Sequence, residues 1–114
     1  MAKIKVEKQI GGVVLHLKGK FIGGDETDEL KQILAEMSEK DEKKLIVNMA
    51  DVTYLNSTSL GILIAAHTNF AKRGGEIILC NIGKSIENIF VITKLTLVFK
   101  ITETLEEAIK ILSN

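Results

Sequence analysis

The sequence contains no proline, no tryptophan and only one cysteine, Cys80. A single cysteine excludes both an internal disulfide and a Cys-x-x-Cys redox or zinc motif. The apolar residues before it predict that Cys80 is a small buried hydrophobe at the end of a strand. Because intracellular proteins rarely depend on disulfides, we expect a cytoplasmic protein.

Net charge and aromatic content are also low. Lysine plus arginine and aspartate plus glutamate both number 15, so the formal net charge is zero, and aromatic residues make up 4%. Direct binding to nucleic acid normally requires a basic face, so such a partner is not expected. No run of about 18 apolar residues is present, and therefore no membrane span is predicted. The alternating N-terminus, Met1 to Val6, lacks the apolar core of a signal peptide.

The remaining composition is that of an ordinary soluble globular protein. Hydrophobic residues account for 46% and charged residues for 26% of 114 residues. Neither a linker nor an internal repeat divides the chain. We therefore predict a single domain over residues 1–114, large enough to bury a substantial core.

Hydrophobic periodicity predicts an α/β fold in which strands and helices alternate. Strands have period two, helices have apolar residues at three- and four-residue spacing, and glycine pairs mark the turns. The fold class is a mixed sheet of four to five strands, an N-terminal hairpin plus parallel strands, with about four helices. The predicted elements are strands Lys3–Glu7 and Val13–Leu17, a short apolar pair Phe21-Ile22, a helix from Asp25, strand Leu45–Met49, helix Ser57–Lys72, strand Glu76–Asn81, a helix capped by Ser85 and reaching Thr93, strand Val98–Ile101, and a helix capped by Thr102 or Thr104. In the helix capped by Ser85, the residues expected on or near the inner face are Ile86, Ile89, Phe90, Ile92 and Thr93.

Four consecutive small polar residues, Asn56, Ser57, Thr58 and Ser59, lie where the strand Leu45–Met49 gives way to the central helix. Such residues are the preferred N-caps, so one of them is expected before any helix. Here there are four. The first backbone N–H groups of a helix are unpaired and carry partial positive charge, which suits a phosphate that is bound or covalently attached. In parallel sheets, functional sites also gather beyond the carboxyl ends of the strands.

A second polar region precedes the first predicted helix. Gly23 and Gly24 form a turn, and Asp25, Glu26, Asp28 and Glu29 occupy the first helical turn. Carboxylates in this position favour the helix dipole, which explains the acidic residues without a metal ion. The glycine pairs are not phosphate-binding loops either, because they lack the spacing and the following lysine. No metal and no cofactor is expected.

The central segment contains the run Asp51-Val-Thr-Tyr-Leu-Asn-Ser-Thr-Ser-Leu-Gly61. This run resembles the signature of STAS domains, the fold shared by sulphate transporters and anti-sigma factor antagonists. The antagonists' pattern is Asp-hydrophobic-x-aromatic-hydrophobic followed by Asp-Ser-Ser/Thr-Gly-Leu-Gly. Leu17-Lys-Gly-Lys-Phe-Ile22, Lys72-Arg-Gly-Gly-Glu76 and Val98 to Ala108 also agree with the family. The resemblance covers essentially the whole chain.

The resemblance implies a function in transcription regulation. Antagonists of this type bind an anti-sigma factor that has ATP-dependent serine kinase activity, and phosphorylation of a serine breaks that complex. By motif, the phosphate acceptor is Ser57. Two residues near Ser57 differ from the family pattern: Asn56 replaces the family's aspartate, and Ser59 replaces its glycine. The expected partner-binding residues are Gly23, Gly24, Asp25, Asn56, Ser57, Thr58 and Ser59.

Two other functions remain open. A scaffold or subunit of a sensory or transport complex would use the exposed Ser57–Ser59 end as a docking surface without modification. An enzyme is not expected, because the motif is not a Gly-x-Ser-x-Gly elbow. His67 lies roughly 15 Å along the same helix, at about 1.5 Å per residue, and is interpreted as a satisfied core histidine. His16 is expected on the less buried face of its strand. We expect a monomer or a weak dimer.

Overall fold

The computed structural model describes residues 2–40 and 42–113. The helices and strands form one five-stranded sheet with four α-helices. In chain order they are β1 (Lys3–Gln9), β2 (Gly12–Phe21), α1 (Asp25–Glu39), β3 (Lys44–Leu55), α2 (Ser57–Lys72), β4 (Glu76–Cys80), α3 (Lys84–Ile92), a 3₁₀ turn (Leu95–Leu97), β5 (Lys100–Thr102) and α4 (Leu105–Leu112).

The strands lie in the sheet in the same order as in the chain, from β1 at one edge to β5 at the other. β1 and β2 form an antiparallel hairpin, whereas the β2–β3, β3–β4 and β4–β5 pairs are parallel. The mixed sheet predicted from the sequence is therefore confirmed. Because these strands are parallel, the carboxyl ends of β2, β3 and β4 point towards the same end of the sheet, and those of β2 and β3 pair with each other there.

The two faces of the sheet bury different sets of side chains. On one face, strand residues such as Leu15 and Val47 pack against α1, α2 and α3 in the main core. On the other face, the alternate residues Val14, Ile46 and Ile78 pack against Ala108 and Leu112 of α4. Cys80 belongs to this second cluster and is fully buried at the end of β4, as predicted.

β2 is longer than its apolar pattern indicates. The pair Phe21-Ile22 is not a separate strand, because β2 continues from Gly12 to Phe21 through two irregularities in its register with β3. Gly19, between these irregularities, has φ of +98°, which a residue with a side chain rarely adopts. The result is one bent strand that carries Phe21 to the end of β3.

β3 also extends beyond its predicted end at Met49 and reaches Leu55. Only its first half is flanked on both sides, since β4 pairs with it no further than Asn48. The second half pairs with β2 alone, up to Phe21 opposite Leu55. A strand with one neighbour tolerates polar residues, which is why this stretch reads as a loop in the sequence. The polar cluster follows Leu55 directly rather than Met49.

In the C-terminal half, two details differ from the sequence prediction, and one alternative that it left open is decided. α3 is capped by Gly83, so Ser85 lies inside the helix. The last strand is Lys100–Thr102, displaced towards the C-terminus by the 3₁₀ turn. Of the two proposed caps for α4, Thr104 is the actual one, with a reciprocal capping box to Glu107.

Candidate functional site

Asn56 connects β3 to α2 and is the N-cap of this helix. α2 begins at Ser57, as the sequence predicts, and Asn56 itself is extended with φ of −95°. Its side-chain oxygen Oδ1 accepts a hydrogen bond from the Ser59 backbone N–H at 3.0 Å and lies 3.1 Å from Ser59 Oγ. The cap therefore satisfies the third N–H group of the helix.

Ser57 and Thr58 are the first two residues of α2, and both are exposed. Within an α-helix, no carbonyl group lies in the position needed to accept from their backbone N–H groups. The positive end of the helix dipole is thus at the surface beside two hydroxyl side chains. This arrangement can accommodate a phosphate on either hydroxyl without refolding of the helix.

Ser59 is fully buried, so the expectation that it belongs to an exposed docking surface is wrong. Its hydroxyl donates to the carbonyl oxygen of Phe21 at 2.9 Å and lies 3.2 Å from Thr27 Oγ1. The helical period explains its burial, since Ser59 shares a stripe with Leu63, Ala66 and Phe70. Its role is to hold the end of β2 against α2.

The turn between β2 and α1 lies next to the start of α2. A Cβ atom on Gly23 would lie 3.5 Å from Asn56 Nδ2 and 4.0 Å from Thr58 Cβ. Gly24 and Asp25 follow Gly23 and are exposed like it. The structure therefore brings together two segments that are separated by 30 residues in sequence. We call Gly23, Gly24, Asp25, Asn56, Ser57 and Thr58 the Ser57 edge.

Thr27 is a residue of this region that the sequence interpretation did not identify. It is buried, and its Oγ1 accepts from the Gly23 N–H at 2.9 Å while donating to Glu26 Oε2 at 2.5 Å. This hydrogen bond from Thr27 is the main cause that lowers the pKa of the Glu26 carboxyl. The signal was available, because Thr27 precedes Leu30 and Leu34 at helical spacing and so falls on the buried face of α1.

Two exposed apolar side chains flank the Ser57 edge. Ile22 follows β2 and is 56% exposed, and Tyr54, near the end of β3, is 50% exposed. The strand register places Tyr54 opposite Lys20, one residue before the Phe21–Leu55 pair that precedes the edge. Exposed aromatic and aliphatic side chains beside polar groups are typical of protein-binding surfaces. The sequence interpretation did not assign them such a role.

Neither histidine lies at the Ser57 edge. His16 is partly exposed on its strand, as expected, and its ring contacts Glu7 Oε1 at 2.8 Å and Asn48 Nδ2 at 3.0 Å. His67 is half-buried, with its ring edge-on to Phe99 at 5.3 Å. Its Nδ1 has no hydrogen-bond partner among the described residues, so the interpretation as a satisfied histidine is wrong. Within the described ranges, no group of three or more His, Cys, Asp or Glu side chains could hold a metal ion.

Comparisons with known proteins agree with this architecture. The family model of the STAS domain matches residues 3–108. BtrV of Bordetella bronchiseptica, whose assignment as an anti-sigma factor antagonist is itself provisional, is 21% identical over 106 residues, which are 93% of this chain and 90% of that protein.

Solved structures show the same fold. The crystal structure of an anti-sigma factor antagonist from Mycobacterium paratuberculosis has a TM-score of 0.88 and 22% identity, covering 100% of this chain and 96% of that one. The phosphorylated form of the Bacillus cell fate determinant SpoIIAA has a TM-score of 0.77 and 18% identity, covering 95% and 97% of the two chains. None of the described helices is long and apolar enough to cross a membrane. The chain is therefore a member of the STAS domain family, with the fold of its anti-sigma factor antagonists.

Proposed function

We propose that this protein is an anti-sigma factor antagonist that binds an anti-sigma factor with serine kinase activity and is released when Ser57 is phosphorylated. The observation that carries the proposal is the position of Ser57, which is the exposed first residue of α2 at a helix N-terminus. Antagonists with the same fold, one of them solved in a phosphorylated form, support it. The protein acts by binding and not by catalysis.

Exposure and position in the motif together distinguish Ser57 from the other hydroxyl groups of the cluster. Ser59 is buried and hydrogen-bonded, so a kinase could reach it only after local unfolding. Thr58 is exposed, but it lies beside Gly23, where α2 contacts the turn between β2 and α1. Ser57 combines exposure with the motif position of the acceptor. We therefore assign the phosphate to Ser57.

The switch is electrostatic in this proposal. A phosphoserine adds about −1.5 to −2 charges, which the unpaired N–H groups of the first turn stabilise in the free protein. The same charge in a desolvated protein interface is unfavourable unless the partner supplies a matching cation. Phosphorylation thus dissociates the complex while the domain itself stays folded.

The partner contacts extend beyond the hydroxyl groups. The half-exposed side chains of Tyr54 and Ile22 offer apolar area next to the polar edge. In protein interfaces, such anchors commonly contribute more than the surrounding polar contacts. We expect Tyr54→Ala to weaken partner binding by more than about 1 kcal/mol.

Mass spectrometry tests the acceptor. The protein is incubated with ATP and the anti-sigma kinase of its own genome, and the intact mass and modified peptide are determined. We expect one phosphate in the wild type and in Thr58→Ala, and none in Ser57→Ala. A phosphate retained in Ser57→Ala would show that the acceptor is another residue.

Calorimetric titration with the same kinase tests the switch. Ser57→Asp is expected to bind more weakly than the wild type. Ser85→Asp is the matched control, because it adds the same charge to the exposed first turn of α3 and should bind normally. If Ser57→Asp binds as tightly as the control, the electrostatic mechanism is wrong.

One observation favours a second function, that of a scaffold which is never modified. Asn56 stands where the family has an aspartate, so the acceptor lacks a neighbouring carboxylate. Its Oδ1 already accepts the hydrogen bond from the Ser59 backbone N–H as the helix cap. If the kinase binds but transfers no phosphate, the scaffold function replaces the switch.

A further inference from the structure

Exposed apolar side chains are concentrated at the edge of the sheet formed by β5. Ile92 and Leu97 are 79% and 82% exposed, and Val91 is 57% exposed. The sequence predicts Ile92 on or near the inner face of α3, but only Ile86 and Phe90 of that helix are buried. We call Val91, Ile92, Leu97, Val98 and Ile101 the α3–β5 patch.

The patch lies on a packed base. The 3₁₀ turn contacts both α3 and β5, so it connects the two elements that carry the other members of the patch. Beneath it, the ring of Phe99 is buried between Phe90, at a centroid distance of 6.0 Å, and His67, at 5.3 Å. The exposed side chains of the patch therefore lie on a well-packed part of the structure. Exposed apolar side chains concentrated in this way commonly mark an interaction site.

The two edges of the sheet are protected to different degrees. β1 carries three lysines, which hinder edge-to-edge association. β5 has one lysine in three residues, and the exposed Ile101 is at its centre. The open edge and the apolar patch thus coincide at β5.

The charges around the patch are complementary to one another. A cavity of about 250 Å³ is lined by Ile101, Glu87 and Glu103, together with Ile82 and Thr102. Lys94 is exposed, in a left-handed conformation with φ of +61°, between α3 and the 3₁₀ turn. None of these three charged side chains forms an ion pair with another described residue of the chain.

We propose that the α3–β5 patch binds a second copy of this chain in a weak two-fold dimer, in which Lys94 of each copy contacts the Glu87 and Glu103 cavity of the other. A two-fold interface is self-complementary, so one surface must carry both the cation and its acidic site. This patch does. An anionic membrane fits less well, because the glutamates would oppose it.

The expected dimer is weak and compatible with partner binding. A stable interface buries about 800 Å² on each partner, more than five partly exposed side chains supply. The patch also shares no residue with the Ser57 edge, which lies at the ends of β2 and β3. The proposed dimer consequently leaves the Ser57 edge free.

Sedimentation equilibrium with charge-reversal variants tests the contact. We expect the wild type to dimerise with a Kd of about 10 µM to 1 mM, weaker than the micromolar to picomolar range of standard-size interfaces, because its interface is smaller. Lys94→Glu and Glu103→Lys should each weaken dimerisation by about tenfold or more, the size measured for close interfacial charge pairs. The double variant should restore it, because the swapped charges again match. Failure of the double variant to recover would overturn the Lys94–Glu103 contact.

A second pair of variants tests the apolar part of the surface. Leu97→Glu should abolish dimerisation, whereas Ile10→Glu, at a 93% exposed position in the β1–β2 turn, should leave it unchanged. Circular dichroism verifies that each variant is folded. A wild type that stays monomeric at 1 mM overturns the proposal. If the monomeric protein instead cosediments with anionic vesicles, the patch is a lipid-binding surface and the dimer proposal is wrong.

Discussion

The Ser59 hydroxyl donates a hydrogen bond to the carbonyl oxygen of Phe21 at 2.9 Å, and both side chains are fully buried. The same carbonyl oxygen accepts from the Asn56 N–H at 3.1 Å. The end of β2 is thereby bound to the start of α2 at two points. Since Gly23 follows Phe21 by two residues, these bonds also position the turn that contacts Asn56.

Removing the Ser59 hydroxyl should destabilise the fold. Ser59→Ala leaves Phe21 with one donor and opens a small void, so the free energy of unfolding should fall by about 1 kcal/mol. Thr68→Ala is the matched control, because this exposed threonine of α2 donates only to the Ile64 carbonyl. Urea unfolding of both variants measures the difference. Equal stability of the two variants would contradict the role assigned to Ser59.

Two glycines near the Ser57 edge should respond oppositely to alanine. Gly23 has φ of +92°, so Gly23→Ala should lower the free energy of unfolding by about 1 kcal/mol or more. Gly61 lies inside α2, and a Cβ there meets nothing within 4 Å, so Gly61→Ala should raise stability by up to about 1 kcal/mol. Thermal unfolding distinguishes the two signs. A neutral Gly23→Ala would mean that the turn adopts a different conformation.

Asn56 should tolerate aspartate but not alanine. Asn56→Ala removes the acceptor for the Ser59 N–H and should cost about 1 kcal/mol of stability. Asn56→Asp keeps the cap and adds a negative charge at the helix N-terminus, so stability should be equal or higher. If the missing carboxylate limits phosphorylation, Asn56→Asp should also be phosphorylated faster than the wild type. An unchanged rate in the kinase assay would show that this departure from the family motif is neutral.

Strong local patterns allowed the sequence to predict the centre of the site. The start of α2 at Ser57 and the turn at Gly23-Gly24 follow from capping and glycine preferences, which act within a few residues. The length of β3 did not follow from such patterns. Its second half is a strand because β2 pairs with it, and that partner lies more than 30 residues away in sequence. Tertiary pairing of this kind leaves little trace in local composition.

Local sequence patterns also did not predict which polar residues of the cluster are exposed and which are buried. Ser57, Thr58 and Ser59 look equivalent in sequence, yet only Ser59 points to the sheet and is buried. Helical spacing places Ser59 on the same face as Leu63 and Phe70, which indicates burial. The polar side chain of Ser59 nevertheless led to the prediction that it is exposed. The Ile92 error has another cause. α3 buries Ile86 and Phe90 at helical spacing, and Ile92, two residues after Phe90, falls on another side of the helix.

The Glu7 carboxylate makes stability dependent on pH. A hydrogen bond from His16, followed by one from Gln9, lowers the pKa of Glu7 below its ordinary value of 4.5 in the folded protein. Because this pKa is lower in the folded protein, ionised Glu7 stabilises the fold, and the stabilisation is complete above the pKa that Glu7 has in the unfolded chain. The stabilisation is lost as the pH falls through the pKa of the folded protein. Glu7→Gln keeps the size of the side chain but cannot titrate. Below pH 4.5, the variant should therefore lose less stability than the wild type.

Glu39→Gln is the control for this pH dependence, because Glu39 is an exposed residue at the end of α1, outside the His16 network. Urea unfolding is measured for all three proteins at a series of pH values from neutral to acidic. Above pH 5, Glu7→Gln should be the less stable protein, since the charge-assisted bond to His16 is missing there. On acidification, its stability should approach that of the wild type, while Glu39→Gln should follow the wild type throughout. Parallel curves for Glu7→Gln and wild type would mean that the His16 bond does not favour the ionised carboxylate.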